Sequence, residues 1–224
     1  LGYGTGALIG LIGAVGGCIV STRLMQRFTI KAYPEMKEAV NAEGNEENIS
    51  FKSEGNIFMR ILNSVLDGGK SGVSIGVAII PGVLVISTFV MMLTFGTSKS
   101  GEYTGAAYEG VALLPYLANK ISIVFEWLFG FTHAELVSFP ITSLGAVGAA
   151  LSLIPKFAAE GFIDGNAIAV CTAMGMCWSG FLSTHTAMLD SLGYRKLISK
   201  AILAHTIGGF VAGIVAHWAF VLIS

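Results

Sequence analysis

The sequence predicts an all-α, polytopic helical membrane protein with broken or re-entrant helices. Charge is scarce, with Asp, Glu, Lys and Arg making up 12% of 224 residues, where soluble domains carry about 25%. The charges are also segregated, since none falls in Leu1–Val20, Ser71–Ser98, Leu136–Pro155, Gly165–Leu189 or Ala201–Ser224. Each run is close to the roughly 20 residues that a helix needs to span a bilayer. Finally, the third and fourth runs are interrupted by Pro, Gly and hydroxyl residues, which are out of place in a plain lipid-facing helix.

Leu1–Val20 reads as a membrane helix rather than a signal peptide, because no basic segment precedes it; as the chain starts at Leu1, further residues upstream are expected. Its glycines at Gly6/Gly10 and Gly13/Gly17 have the spacing that lets helix backbones approach closely. Arg23, Arg27 and Lys31 follow with no acid before Glu35, which places this end in the cytoplasm by the positive-inside rule. Glu35–Glu54 is acidic and Asn-rich, a flexible loop by composition.

In Asn56–Lys70, Ile57, Phe58, Ile61, Leu62, Val65 and Leu66 form one helical stripe with Arg60, Asn63, Ser64 and Asp67 opposite, an amphipathic helix suited to the membrane surface. Gly68, Gly69 and Gly72 are expected to turn it into a span over Val73–Phe95 that Pro81 kinks. Thr97–Gly110 is polar and lies on the far side. Val111–Phe131 mixes apolar residues with Pro115, Asn119, Lys120, Glu126 and Trp127, as in a tilted or interfacial helix. Leu136–Pro155 reads as broken or re-entrant, and Ala167–Ser183 runs into a polar cluster. Arg195, Lys196 and Lys200 mark a second cytoplasmic turn, before a last helix over Ala201–Ile223. Residues 1–55 thus form a first helix plus cytoplasmic loop, and 56–224 a membrane domain.

The composition excludes several classes. A net charge of −1 lacks the clustered Lys and Arg of a nucleic-acid surface. Cys18, Cys171 and Cys177 sit in apolar runs, where a thiol behaves as a small hydrophobe, and their spacing is not that of metal ligands. Ser183, His185 and Asp190 are residue types of a catalytic triad, yet no nucleophile elbow accompanies them. No enzyme activity and no cofactor are expected.

Two interrupted membrane segments point to a mid-membrane ligand site, because half-helix ends offer unpaired backbone groups to a solute. The first candidate group is Ser138, Thr142 and Ser143, whose hydroxyls can alternatively bond back to their own helix. The second is Ser179, Ser183, Thr184 and His185, with Thr186 and Asp190 beside them, alternatively a polar loop emerging into water. Ionisable residues within the membrane are candidates for ion or proton coupling: Glu126, unless its segment lies at the surface, Asp190 and His205. His205 and His217 are twelve residues apart, about 120° around a helix axis. They do not share one site, and each suits a hydrogen bond to a neighbouring helix.

Asn56–Ala219 resembles the nucleoside-recognition, or Gate, domain family, related to the C-terminal half of concentrative nucleoside transporters and to spore-maturation membrane proteins. The resemblance rests on Arg60-Ile-Leu-Asn-Ser-Val-Leu-Asp-Gly-Gly-Lys-Ser-Gly-Val-Ser-Ile-Gly76, on Ser138–Ile154 at the position of the transporters' second hairpin, and on Ser183-Thr-His-Thr-Ala-Met-Leu-Asp-Ser-Leu-Gly-Tyr-Arg195 followed by Lys200–Gly213. Where those transporters carry an acid in that hairpin, Leu144–Leu153 has none. The resemblance implies a transporter or transporter subunit for a small polar solute in the bacterial cytoplasmic membrane. Thr142, Ser143, Ser179, Ser183, Thr184 and His185 stand at the comparable places. It also implies a second small membrane subunit or a homo-oligomer, for which the Gly-rich first helix would supply an interface. The alternative is a non-transporting membrane scaffold or signalling subunit.

Overall fold

A computed structural model describes residues 3–34, 55–97, 101–106, 109–120 and 122–224. The expected loop over Glu35–Glu54 lies outside them. Helices make up the described fold: α1 (Gly4–Ala32), α2 (Ile57–Thr94), α3 (Leu113–Lys120), α4 (Ser122–Phe129), α5 (Ser138–Ser143), α6 (Val147–Leu151), α7 (Leu153–Ala159), α8 (Gly165–Cys177), α9 (Phe181–Ser191) and α10 (Ile198–Ile223). Short 3₁₀ turns at Ala134–Val137 and Arg195–Leu197 lead into α5 and α10, and the described residues contain no strand. Four segments are long and apolar enough to cross a membrane: Gly4–Ala32, Ile57–Thr94, Gly165–Ser191 and Arg195–Ile223. The all-α membrane class is as the sequence predicts.

The centre is a three-helix layer of α1, α8 and α10. Along α1, Gly6 and Gly10 face the carbonyls of Gly165 and Ala169 on α8, while Gly13 and Gly17 face those of Ala212 and Gly208 on α10. The pairings run in step along α1 and α8 and in opposite order along α1 and α10, so α8 is parallel to α1 and α10 antiparallel. A β-carbon at any of the four glycines would lie within 2.6 Å of a carbonyl oxygen, closer than any real side chain sits. Small residues let backbones touch, and packing then supplies the attraction that the hydrophobic effect does not supply between helices in lipid. This close-packed stripe is therefore occupied within the chain, rather than left for a second subunit.

On the far side of the layer, Phe125 and Phe129 of α4 pack with Phe131 and Phe210. Asn166, 8% exposed, fastens this cluster. Its amide donates to the carbonyls of Phe129 at 2.8 Å and Gly130 at 2.9 Å, and its oxygen accepts from His217 Nδ1 at 2.8 Å. His217 thus bonds a neighbouring helix, as expected of it.

α2 departs from the sequence expectation. It is one helix of 38 residues, capped by the Asn56 side chain accepting from Met59 N–H at 2.9 Å, and it runs through Gly68, Gly69, Gly72 and Pro81. At 1.5 Å per residue it is about 57 Å long, nearly twice a bilayer's apolar thickness. Each internal Gly costs about 1 kcal/mol relative to Ala, too little to stop a helix whose backbone bonds have no substitute partner in an apolar medium. The Val111–Phe131 segment is also finer-grained than expected, divided into α3 and α4.

At one end of the bundle the two basic segments come together. Tyr33 at the end of α1 and Tyr194 before α10 meet edge to face at 5.6 Å, and Lys200 Nζ lies 5.6 Å from the Phe28 ring centre. Arg23, Arg27, Lys31, Arg195, Lys196 and Lys200 consequently share one end.

Candidate functional site

The third and fourth charge-free runs are both broken, as the sequence predicts. Leu144–Ala146 separates α5 from α6, and Trp178–Gly180 separates α8 from α9. The second break lies beside the middle of α1, because Cys177 faces Gly17, halfway along that helix. Gly180 has φ +69°, a left-handed conformation that glycine adopts without the clash an L side chain would bring.

The breaks meet each other. The last residue of a helix leaves its carbonyl without an intrahelical partner. For α5 that residue is Ser143, whose carbonyl accepts from Gly180 N–H at 2.9 Å. For α8 it is Cys177, whose carbonyl is in close hydrogen-bond contact with His205 Nε2 on α10. Trp178 Nε1 in turn donates to the His205 carbonyl at 3.1 Å. The Gly145 carbonyl lies so near that a β-carbon on Gly180 would be 3.2 Å from it.

Around this crossing the hydroxyls of Thr142, Ser143 and Ser183 are all but fully buried. Each donates within its own segment: Thr142 to Ser138 O at 2.7 Å, Ser143 to Pro140 O at 2.7 Å and Ser183 to Gly180 O at 2.8 Å. Back-bonding therefore accounts for their donors, while each oxygen keeps acceptor capacity. Ser138 donates to Glu135 O at 2.6 Å at the outer end of α5. Ser179 and Thr184 are exposed.

Beside the crossing, α9 and α10 bring two imidazoles together. The His185 and His205 rings stand edge to face at 4.6 Å, and Phe181 stacks on His205 at 5.1 Å. Nδ1 of His185 is buried with no hydrogen-bond partner, a costly arrangement for a polar atom unless it serves a purpose. No protein-family model, curated protein or solved structure matches this chain. The chemistry of the crossing must accordingly be read from its own residues.

The structure therefore joins Thr142, Ser143, Ser183, His185 and His205, which the sequence placed in separate groups. It leaves five candidates apart: Ser138 bonds at the start of α5, Ser179, Thr184 and Glu126 are exposed, and Asp190 forms an ion pair with Arg195 on the surface. Three participants escape residue-type reasoning. The Cys177 and Ser143 carbonyls act through backbone, and Trp178 acts through an indole N–H that an apolar pattern counts only as bulk. No group of three or more His, Cys, Asp or Glu side chains that could hold a metal occurs among the described residues.

Proposed function

We propose that this chain is a transporter, or the membrane subunit of one, that moves a small polar solute across the bacterial cytoplasmic membrane through a gate of discontinuous helices. The observation that carries this reading is the meeting of two helix breaks inside the bundle, with the Ser143 carbonyl held by Gly180 N–H and the Cys177 carbonyl by His205 of α10. Those contacts are few and exchangeable. A solute offering donors to the two carbonyls and to the acceptor sides of Thr142, Ser143 and Ser183 would replace them one for one, and the half-helices could then part. The unpartnered His185 Nδ1 supplies one further polar contact. The resemblance of Asn56–Ala219 to the Gate family points the same way, and the cation-rich end would face the cytoplasm.

The test is a panel of nucleosides, amino acids and small ions added to the purified chain, with melting temperature as the readout. A binder at a hundred times its Kd stabilises by about 2.7 kcal/mol. Thr142→Ala and His185→Ala should each abolish the shift and the uptake of the same solute into proteoliposomes. A melting temperature indifferent to the whole panel, together with wild-type behaviour of both variants, would sink transport.

One observation favours a second reading, a membrane scaffold. In the first half of α2, Ile57, Phe58, Ile61, Val65 and Leu66 are exposed. On that reading the solute panel stays silent, and deleting 57–72 abolishes recovery of a second membrane protein.

A further inference from the structure

The break in α8 has a consequence on its other side. α1 continues for fifteen residues beyond Gly17, but α8 ends at Cys177, and α9 leaves the layer to pack on α2, with Gly82 against Ala187. The cytoplasm-proximal half of α1 thereby loses a neighbour, and a cavity of about 850 Å³ opens between it, Met176 and the α10 face carrying His205 and Gly208. Its wall is mainly apolar, with Met25 and Met176 prominent, while Thr22, Arg23 and Gln26 give it one polar edge. A second recess of about 370 Å³ shares Cys18, Thr22, Arg23 and Gln26 and continues outward along Val15 and Ile19.

We propose that this cavity is a binding site for an anionic phospholipid, with the acyl chain along the apolar wall and the headgroup phosphate at Arg23 and Gln26. The choice of occupant rests on three features. First, the recess is mainly apolar and open to the side, and its one charged side chain and its one amide, Arg23 and Gln26, lie together, as an amphiphile requires and a small polar solute does not. Second, the edge lies at the cation-rich end, where Arg23, Arg27, Lys31, Arg195, Lys196 and Lys200 face a single acid on the same segments among the described residues, Asp190, already paired with Arg195. Basic pockets between membrane helices select anionic headgroups in this way. Third, Arg23 presents a planar fork of donors that matches phosphate oxygens. The site stands whether or not the helix crossing carries a solute. Because His205 borders both, lipid occupancy would press on the contact that holds the Cys177 carbonyl.

The experiment uses the full chain in neutral detergent, with phosphatidylglycerol or phosphatidylcholine added and binding read by native mass spectrometry and melting temperature. Phosphatidylglycerol should remain bound and raise the melting temperature, and phosphatidylcholine should do neither. Arg23→Gln should weaken phosphatidylglycerol binding about fivefold, the worth of one cation near an anionic lipid surface, and Arg27→Gln, outside the cavity, should weaken it much less. Cys18→Trp, which fills the recess from the lipid side, should remove binding of any lipid, so a folding defect in one variant leaves the other as a test. Equal binding of both lipids, insensitivity to Arg23→Gln, or equal protection by inorganic phosphate alone would overturn the proposal. So would dimers that protect the cavity and carry no lipid.

Discussion

At the scale of single residues, the same amino acid has opposite consequences at different addresses. Gly13 and Gly17 of α1 lie against carbonyl oxygens, whereas Gly68, Gly69 and Gly72 of α2 have nothing within 4 Å of the place a β-carbon would occupy. Gly17→Ala should therefore lower stability by about 1–3 kcal/mol through overpacking. Gly68→Ala should raise it by about 0.5–1 kcal/mol by restoring helix propensity. Thermal unfolding of the two variants beside the parent gives the comparison, and a harmless Gly17→Ala would refute the close-packed layer. Asn166 makes a different kind of contribution. Asn166→Leu leaves two carbonyls and the His217 imidazole without partners, and each unsatisfied buried group costs about 1–3 kcal/mol. The expected result is a larger loss than His217→Leu produces, measured in the same unfolding assay.

Elements show what could and could not be seen in the sequence. Pro140, Gly145 and the hydroxyls of Ser138–Ser143 mark the first break, and Gly180 the second, because proline and an αL glycine act locally and leave local signatures. That the breaks face each other is a tertiary fact, carried by the carbonyls of Ser143 and Cys177, which every residue possesses and no pattern distinguishes. His205 is legible as an intramembrane histidine and His185 as a member of a polar cluster, yet their contact depends on how α9 and α10 pack. α2 differs from its expected form for the opposite reason: the glycine cluster at Gly68–Gly72 suggests a turn, but a glycine permits a turn without compelling one. Gly180, in contrast, is compelled, and Gly180→Ala should cost about 1–2 kcal/mol from the left-handed backbone. It should also alter solute-induced stabilisation in the assay proposed above, whereas a comparable loss of stability from Asn166→Leu should leave that response intact. If both variants behave alike, the crossing has no special part in binding.

For the whole molecule, the meeting of Tyr33 with Tyr194 and of Phe28 with Lys200 turns two separate charge arguments into one statement about orientation. In a background with Cys18, Cys171 and Cys177 replaced, cysteines introduced at Arg27 and Lys196 should react with an impermeant thiol reagent from the same side of the membrane. A cysteine at Tyr3, whose hydroxyl reaches Ile163 O at 3.2 Å at the opposite end, should react only from the other. Labelling of Arg27 and Lys196 from opposite sides would contradict the fold itself.

The glycine stripe of α1 also sets a clock on biogenesis. The surfaces it fits, from Gly165 to Ala169 on α8 and from Gly208 to Ala212 on α10, leave the ribosome some 150 to 200 residues after it. While the residues between are being made, α1 lacks the two helices it seats against, and α10 completes its socket. A chain truncated before α10 would expose a smooth, side-chain-poor helix to the lipid, the sort of surface that membrane proteases and insertion chaperones encounter on unfinished proteins.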